Sequence, residues 1–132
     1  MKVHPDRQKA ISLRDMAKIT LERLKKTNMI AYPTNTLTDY YDIIGKLMEA
    51  LNSLDGVKIK GEGAHQKIID YICEKYNLEE SIRQFIQELR DHRNRVSYEG
   101  FIIKENYIGL NQQKIEKIIY KLRELVDEKL IQ

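Results

Sequence analysis

The sequence predicts an all-α fold, an antiparallel five-helix up-and-down bundle, and three observations predict it. Apolar residues recur at steps of three and four in five separate segments, which is the period of a half-buried helix. Only 6 Gly and 2 Pro punctuate 132 residues, of which 42% are apolar and 33% charged, the balance of a charged, helix-rich protein. One short alternation, Val57-Lys58-Ile59-Lys60, could be drawn as a strand, but no second strand exists to pair with it. The length suits one domain over residues 1–132, closed around a single core.

The first helix is expected between Asp6 and Asn28, where Leu13, Met16, Ala17, Thr20, Leu21 and Leu24 form one stripe. Lys25 and Lys26 crowd its end, where positive charge suits the carbonyl pole of the macrodipole. Tyr32-Pro33-Thr34-Asn35 breaks the pattern. Thr36 or Thr38 then caps a second helix carrying Tyr40, Ile44, Leu47, Met48, Leu51 and Leu54, and Asp55-Gly56 ends it. Val57 to Gly63 reads as a loop, with Gly61-Glu62-Gly63 its flexible part. A third helix follows from Ala64 to Tyr76, with Ile68, Ile69, Ile72 and Tyr76 inward. The fourth begins near Leu78 and runs to Glu99, with Gly100 as its stop. Asn111 is the expected cap of the fifth, whose inward residues are Ile115, Ile118, Ile119, Leu122, Leu125, Val126 and Leu130.

Several function classes drop out at this stage. No segment approaches the roughly 20 apolar residues of a membrane span, and Met1 to Pro5 leads into no signal peptide, so a cytoplasmic protein without membrane attachment is expected. Cys73 is the only cysteine and can form neither an internal disulfide nor a zinc cluster. The histidines at 4, 65 and 92 share no metal-ligand spacing, and no HExxH, phosphate-loop or dinucleotide glycine pattern occurs. Neither a metal nor a cofactor is expected. Net charge is only +3, but residues 1–33 carry a local +5 and residues 34–56 a local −3. A basic first helix can lie along phosphates or be a solvated face.

The fourth helix holds the informative cluster. On a wheel of about 100° per residue, Arg93 projects into the apolar sector between Ile82 and Ile86. Ser97, Arg90, Asn94 and Tyr98 follow around the same arc. Desolvating a guanidinium costs several kcal/mol unless an acidic, phosphate or partner group satisfies it. Arg93 therefore either snorkels to a nearby carboxylate as an internal clip or faces a partner. Arg90, Arg93 and Arg95 lie within six residues of one another, and with Asn94, Ser97 and Tyr98 they offer the forked donors that suit phosphate oxygens.

The run Leu89-Arg90-Asp91-His92-Arg93-Asn94-Arg95-Val96-Ser97-Tyr98-Glu99-Gly100, with the Leu54-Asp55-Gly56 turn and the Gly63-Ala64-His65 helix start, resembles the HEPN domain superfamily, particularly its small prokaryotic members. The resemblance implies a helical bundle that dimerises. It also implies a metal-independent ribonuclease or a relative of one, often a toxin paired with a nucleotidyltransferase-type antitoxin. The superfamily's signature is an Arg, a polar residue and then a His some positions on. Arg93 and Asn94 match its first half, whereas Ser97 or Tyr98 stands where the His is expected, and His92 precedes the Arg.

That departure has a chemical consequence. Metal-free RNA cleavage needs one group to take the 2′-hydroxyl proton and another to protonate the leaving oxygen, and tyrosine, with a reference pKa near 10, is a poor base at neutral pH. Losing such help forfeits about 10²- to 10⁴-fold. The expected function is thus a homodimeric module that binds RNA, a nucleotide or a protein partner, with catalysis weak or lost. The alternatives are a ribonuclease using His92 or Tyr98 in place of the missing His, and a purely structural interaction protein. Catalytic candidates are Arg93, Asn94, Tyr98 and His92; binding candidates are Arg90, Arg93, Arg95 and Ser97. His65 reads as a surface residue at a helix start, His92 as a packed one, and the eight tyrosines mostly as core or interface groups.

Overall fold

A computed structural model describes residues 1–132 and contains five helices: α1 Arg7–Lys25, α2 Pro33–Asp55, α3 Ala64–Lys75, α4 Glu80–Glu99 and α5 Glu105–Ile131. Asp6 caps α1 by accepting from the Lys9 N–H at 2.9 Å. The buried line of α1 is Ala10, Ala17, Leu21 and Leu24, whereas Met16, expected inward, is 48% exposed. Small alanines at two of these positions bring α1 close to α2 and leave the bulkier Met16 at the flank.

The start of α2 differs from the Thr36 or Thr38 cap that the sequence suggests. Pro33 occupies the first turn, where its missing N–H costs nothing. Thr36 instead donates its hydroxyl to the Met29 carbonyl at 2.8 Å, and Thr38 donates to the Thr34 carbonyl at 3.0 Å. Eleven residues of α2 are buried, more than in any other helix, because α1, α3, α4 and α5 all pack against it. Gly56 ends α2 at φ 67°, and a Cβ there would meet the Val3 carbonyl at 2.6 Å. The N-terminal arm closes over this turn through Val3 N–H to the Gly56 carbonyl at 2.8 Å and Lys58 N–H to the Met1 carbonyl at 2.9 Å. Val57 makes only an isolated bridge to Lys2, so the segment is a loop, as expected.

Helix α5 begins six residues before the expected Asn111 cap. Lys104 is the extended residue before it, and Asn111 lies inside the helix with its amide donating to the Tyr107 carbonyl. Tyr107 and Ile108 are already drawn in by the core, so burial rather than the Asn signal sets the boundary. One core of 28 buried side chains takes residues from all five helices.

The senses of the helices follow from the contacts at their ends. Arg23 pairs with Asp39 at 2.7 Å while Asp6 N–H reaches the Ser53 carbonyl, so α1 and α2 are antiparallel. Arg83 pairs with Asp70 and Gln87 reaches Gln66, so α3 and α4 are antiparallel too. The link 56–63 doubles back along α2, so that His65 comes level with Glu49 while Tyr71 and Tyr76 donate to Asp55. Consequently α3 runs in the sense of α2 and its N-terminus sits beside the middle of the bundle. Asp55, whose side chain is 3% exposed, also holds Lys129 of α5 at 2.8 Å and so fastens three helices at one point.

Candidate functional site

Helix α4 places Arg90, Arg93, Asn94 and Tyr98 on a three- and four-residue spacing along one side, and these four line a cleft of about 310 Å³. The opposite wall is α2, through Tyr41, Asp42, Gly45, Lys46 and Glu49, and His65 at the start of α3 closes one end. Gly45 has open space where a Cβ would stand, which keeps the wall facing α4 clear. Arg93 is half-buried at the edge of this cleft rather than inserted between Ile82 and Ile86. The wheel placed it in the apolar arc, but the fully buried part of that arc ends at Leu89, and beyond it Val96 packs on the core only partly. Towards Glu99 the neighbouring wall is the polar side of α2.

The arginines differ in what holds them. Arg90 donates to Gln87 at 2.9 Å and pairs with Asp91 at 3.0 Å. Arg95 pairs loosely with Glu99 at 3.8 Å and lies 4.1 Å over the Phe101 ring, outside the cleft. Arg93 donates to the Ser97 hydroxyl and has no carboxylate within ion-pair distance. The internal-clip reading of Arg93 therefore has no clip residue. One of the five guanidinium donors is thus taken, and most of the bonding capacity of Arg93 is uncommitted to protein.

Tyr41 faces the same cleft and is only 7% exposed, yet its hydroxyl has no hydrogen-bond partner. Burial pushes its phenol up to about 12, although the charges of Arg90 and Arg93 pull the other way. The phenol thus stays protonated, its side chain part of the cleft wall and its oxygen closed off from solvent beneath two guanidinium groups. Tyr98 is 83% exposed at the mouth of the cleft.

Ser97 is exposed and serves Arg93 as its acceptor. His92 does not reach the cleft. It stacks on Phe101 at 6.3 Å and meets the edge of Tyr107 at 5.0 Å, with Nδ1 buried and unpartnered. Tyr41 and His65 were not among the residues the helix-four pattern singled out. The adjacent pair Tyr40-Tyr41 is visible in the sequence, but which tyrosine faces solvent space depends on α4. Tyr40 turns instead to Glu116, donating at 2.8 Å. Cys73 is packed, and burial pushes its thiol up to about 11, so it is a core residue and not a nucleophile. No group of His, Cys, Asp and Glu side chains has the arrangement to hold a metal ion.

No helix is long and apolar enough to cross a membrane. No family model, curated protein or solved structure matches this chain.

Proposed function

We propose that this chain is a HEPN-like dimer whose α2–α4 cleft binds the phosphate of RNA or of a nucleotide, with catalysis weak or lost. The observation that carries the reading is Arg93: half-buried on the cleft wall and without a counter-charge. Its guanidinium donates hydrogen bonds, and a phosphate oxygen accepts them. Arg90 adds a second positive charge and Asn94 a neutral donor beside it. The exposed Tyr98 supplies a ring face on which a base stacks. In the same reading a second copy of the chain covers the α4 end, and a nucleotidyltransferase-type protein is the partner that the HEPN resemblance adds.

Titration of labelled RNA at two salt concentrations, against wild type and Arg93→Ala, tests this. Binding should weaken as salt rises, and Arg93→Ala should weaken it about tenfold and flatten the salt slope. Equal affinity in both proteins would remove the cleft from consideration. Failure of wild type to bind RNA or nucleotide at low salt leaves the structural interaction protein as the surviving reading.

A second reading, the metal-independent ribonuclease, is favoured by His65. Histidine is the side chain suited to carrying a proton near neutral pH, and His65 lines the cleft whereas His92 does not. Metal-free RNA cleavage that disappears in His65→Ala and survives in His92→Ala would promote this reading above the first.

A further inference from the structure

At the opposite end of α4 from the arginine cleft, the first turns of this helix and the middle of α5 leave a groove of about 160 Å³ between them. Helix α4 packs chiefly on α2 and α3, and so stands off from α5 here. Leu78 and Ile82 form one side of the groove, Ile118 and Leu122 the other. Ile118 and Leu122 belong to the core, so the groove opens onto the edge of the core itself. Its only side-chain hydrogen-bonding groups are the ammonium ends of Lys114, Lys117 and Lys121, all on α5.

These three cations have little to hold them. Lys114 and Lys117 have no carboxylate within ion-pair distance, and Lys121 reaches Glu124 only at 3.9 Å. Lys114 lies instead 4.2 Å over the Phe85 ring, a contact between a cation and an aromatic face. No acidic side chain lines the groove, although α5 carries Glu116, Glu124, Asp127 and Glu128 on its other sides. The rim is thus positive along its length and the floor apolar. Lysine stems run along apolar surface and keep their charged heads free, so they can swing onto carboxylates that flank an apolar group.

Size and spacing select the occupant. A cavity of about 150 Å³ is filled by a group as large as benzene, so this groove takes one leucine- or phenylalanine-sized side chain and not the acyl chain of a lipid. Lys114 and Lys121 are separated by about 10 Å along the helix axis. One carboxylate cannot bridge that distance, whereas two carboxylates a heptad apart on a neighbouring helix match it. A ribose or a base would lose its hydrogen bonds against such a floor. A second copy of the chain lacks the charge, because Met16 and Ile19, the exposed apolar pair on its α1, lie in the segment with a local +5. We propose that the α4–α5 groove docks an acidic amphipathic helix of another protein. A Leu or Phe of that helix sits over Leu78, Ile82, Ile118 and Leu122, and Asp or Glu residues bordering it pair with Lys114, Lys117 and Lys121. This surface is separate from the arginine cleft, and the inference does not rest on the reading given to that cleft.

The test uses a labelled helical peptide of about four turns, with leucine along one face and glutamate on its borders. Two counterparts carry alanine for leucine or lysine for glutamate. The proteins are wild type, the exposed double variant Lys117→Glu/Lys121→Glu, and Lys58→Glu/Lys60→Glu as a control of equal charge elsewhere on the surface. The acidic peptide should bind the Lys117→Glu/Lys121→Glu protein about tenfold more weakly than wild type or the control. Alanine for leucine should weaken binding to wild type about tenfold or more, and the basic counterpart should not bind. The Leu78 and Ile82 methyl resonances of wild type should shift as the acidic peptide is added. Equal weakening in the two lysine variants reduces the effect to net charge and overturns the groove, as does undiminished binding of the alanine counterpart. Octanoate that displaces the peptide and shifts the same methyl groups as fully overturns the helix in favour of a small carboxylate. Self-association of wild type that Lys117→Glu/Lys121→Glu abolishes overturns the foreign partner in favour of a second copy.

Discussion

At the scale of single residues, Tyr41 carries an unmade hydrogen bond into the folded state. Its hydroxyl is buried without a partner, at a cost of about 1–3 kcal/mol. Tyr41→Phe keeps the ring and removes the unsatisfied group. Urea denaturation should show the variant stabilised by about 1 kcal/mol, with RNA affinity unchanged because the hydroxyl is closed to the cleft. A destabilised variant would mean that the hydroxyl has a structural partner. Arg93 is the charged counterpart of this case: a side chain whose strongest bonds are left unmade by the protein. Its position in the α4 pattern was legible from residue spacing alone. Its lack of a counter-ion was not, because Asp91, Glu99 and every bundle carboxylate were available to it in the sequence.

Among the elements, the α2 terminus shows how one glycine fixes a larger arrangement. Gly56 takes a left-handed conformation under the carbonyl of Val3, and the N-terminal arm lies across it. Gly56→Ala must both adopt φ 67° and displace the arm. The expected loss is about 2 kcal/mol, from left-handed strain together with the arm's hydrogen bonds. Hydrogen exchange should show faster turnover at the Val3 and Lys58 amides, with α5 protection falling only by the global amount. Unchanged protection of those two amides would separate the arm from the turn. Helix boundaries illustrate the limits of local signals. Gly56 and Gly100 end α2 and α4 as their sequence positions imply, because positive φ is a local requirement. Asn111 fails as the α5 cap because the apolar residues before it, Ile103 and Ile108, are drawn into the core and carry the helix back to Glu105.

For the molecule as a whole, the titration of buried phenols and the thiol sets a stability limit at alkaline pH. Burial pushes Cys73 from 9.0 to about 11 and Tyr41 from 10.0 to about 12. Burial raises Tyr40, Tyr76 and Tyr107 further, helped by hydrogen bonds to Glu116, Asp55 and Glu88. A group raised on folding keeps its proton in the folded chain after the unfolded chain has lost it. The stability it contributes is complete below its unfolded value and is lost as pH rises towards the folded one. Urea midpoints should therefore hold steady from neutrality to pH 9 and then fall by an amount on the order of a few kcal/mol by pH 11. A flat profile across that window would mean that these side chains are open to solvent. The proposed dimer would cover Tyr98 and Ile102, which are 83% and 76% exposed around the end of α4. Light scattering at micromolar concentration should give twice the 15.6 kDa of one chain, and Ile102→Lys should return it towards the monomer. A wild-type mass of one chain would refute the dimer.

Helix content, four of the five element positions and the Arg90-Arg93-Asn94-Tyr98 arc were readable from the chain because each depends on residues within a few turns of one another. Periodicity and left-handed glycines act locally and need no knowledge of the partner surface. The composition of the cleft was not readable in this way. Tyr41 and Glu49 come from α2, and His65 arrives only because the link 56–63 doubles back and lays α3 along α2 in the same sense. Nothing in the spacing of Gly61, Gly63 and His65 encodes that direction, since a loop of this length can close in either sense at similar entropic cost. Core burial of Ile68, Ile69 and Ile72 selects one closure, and with it decides that a histidine assigned to the surface shares a cleft with Arg93.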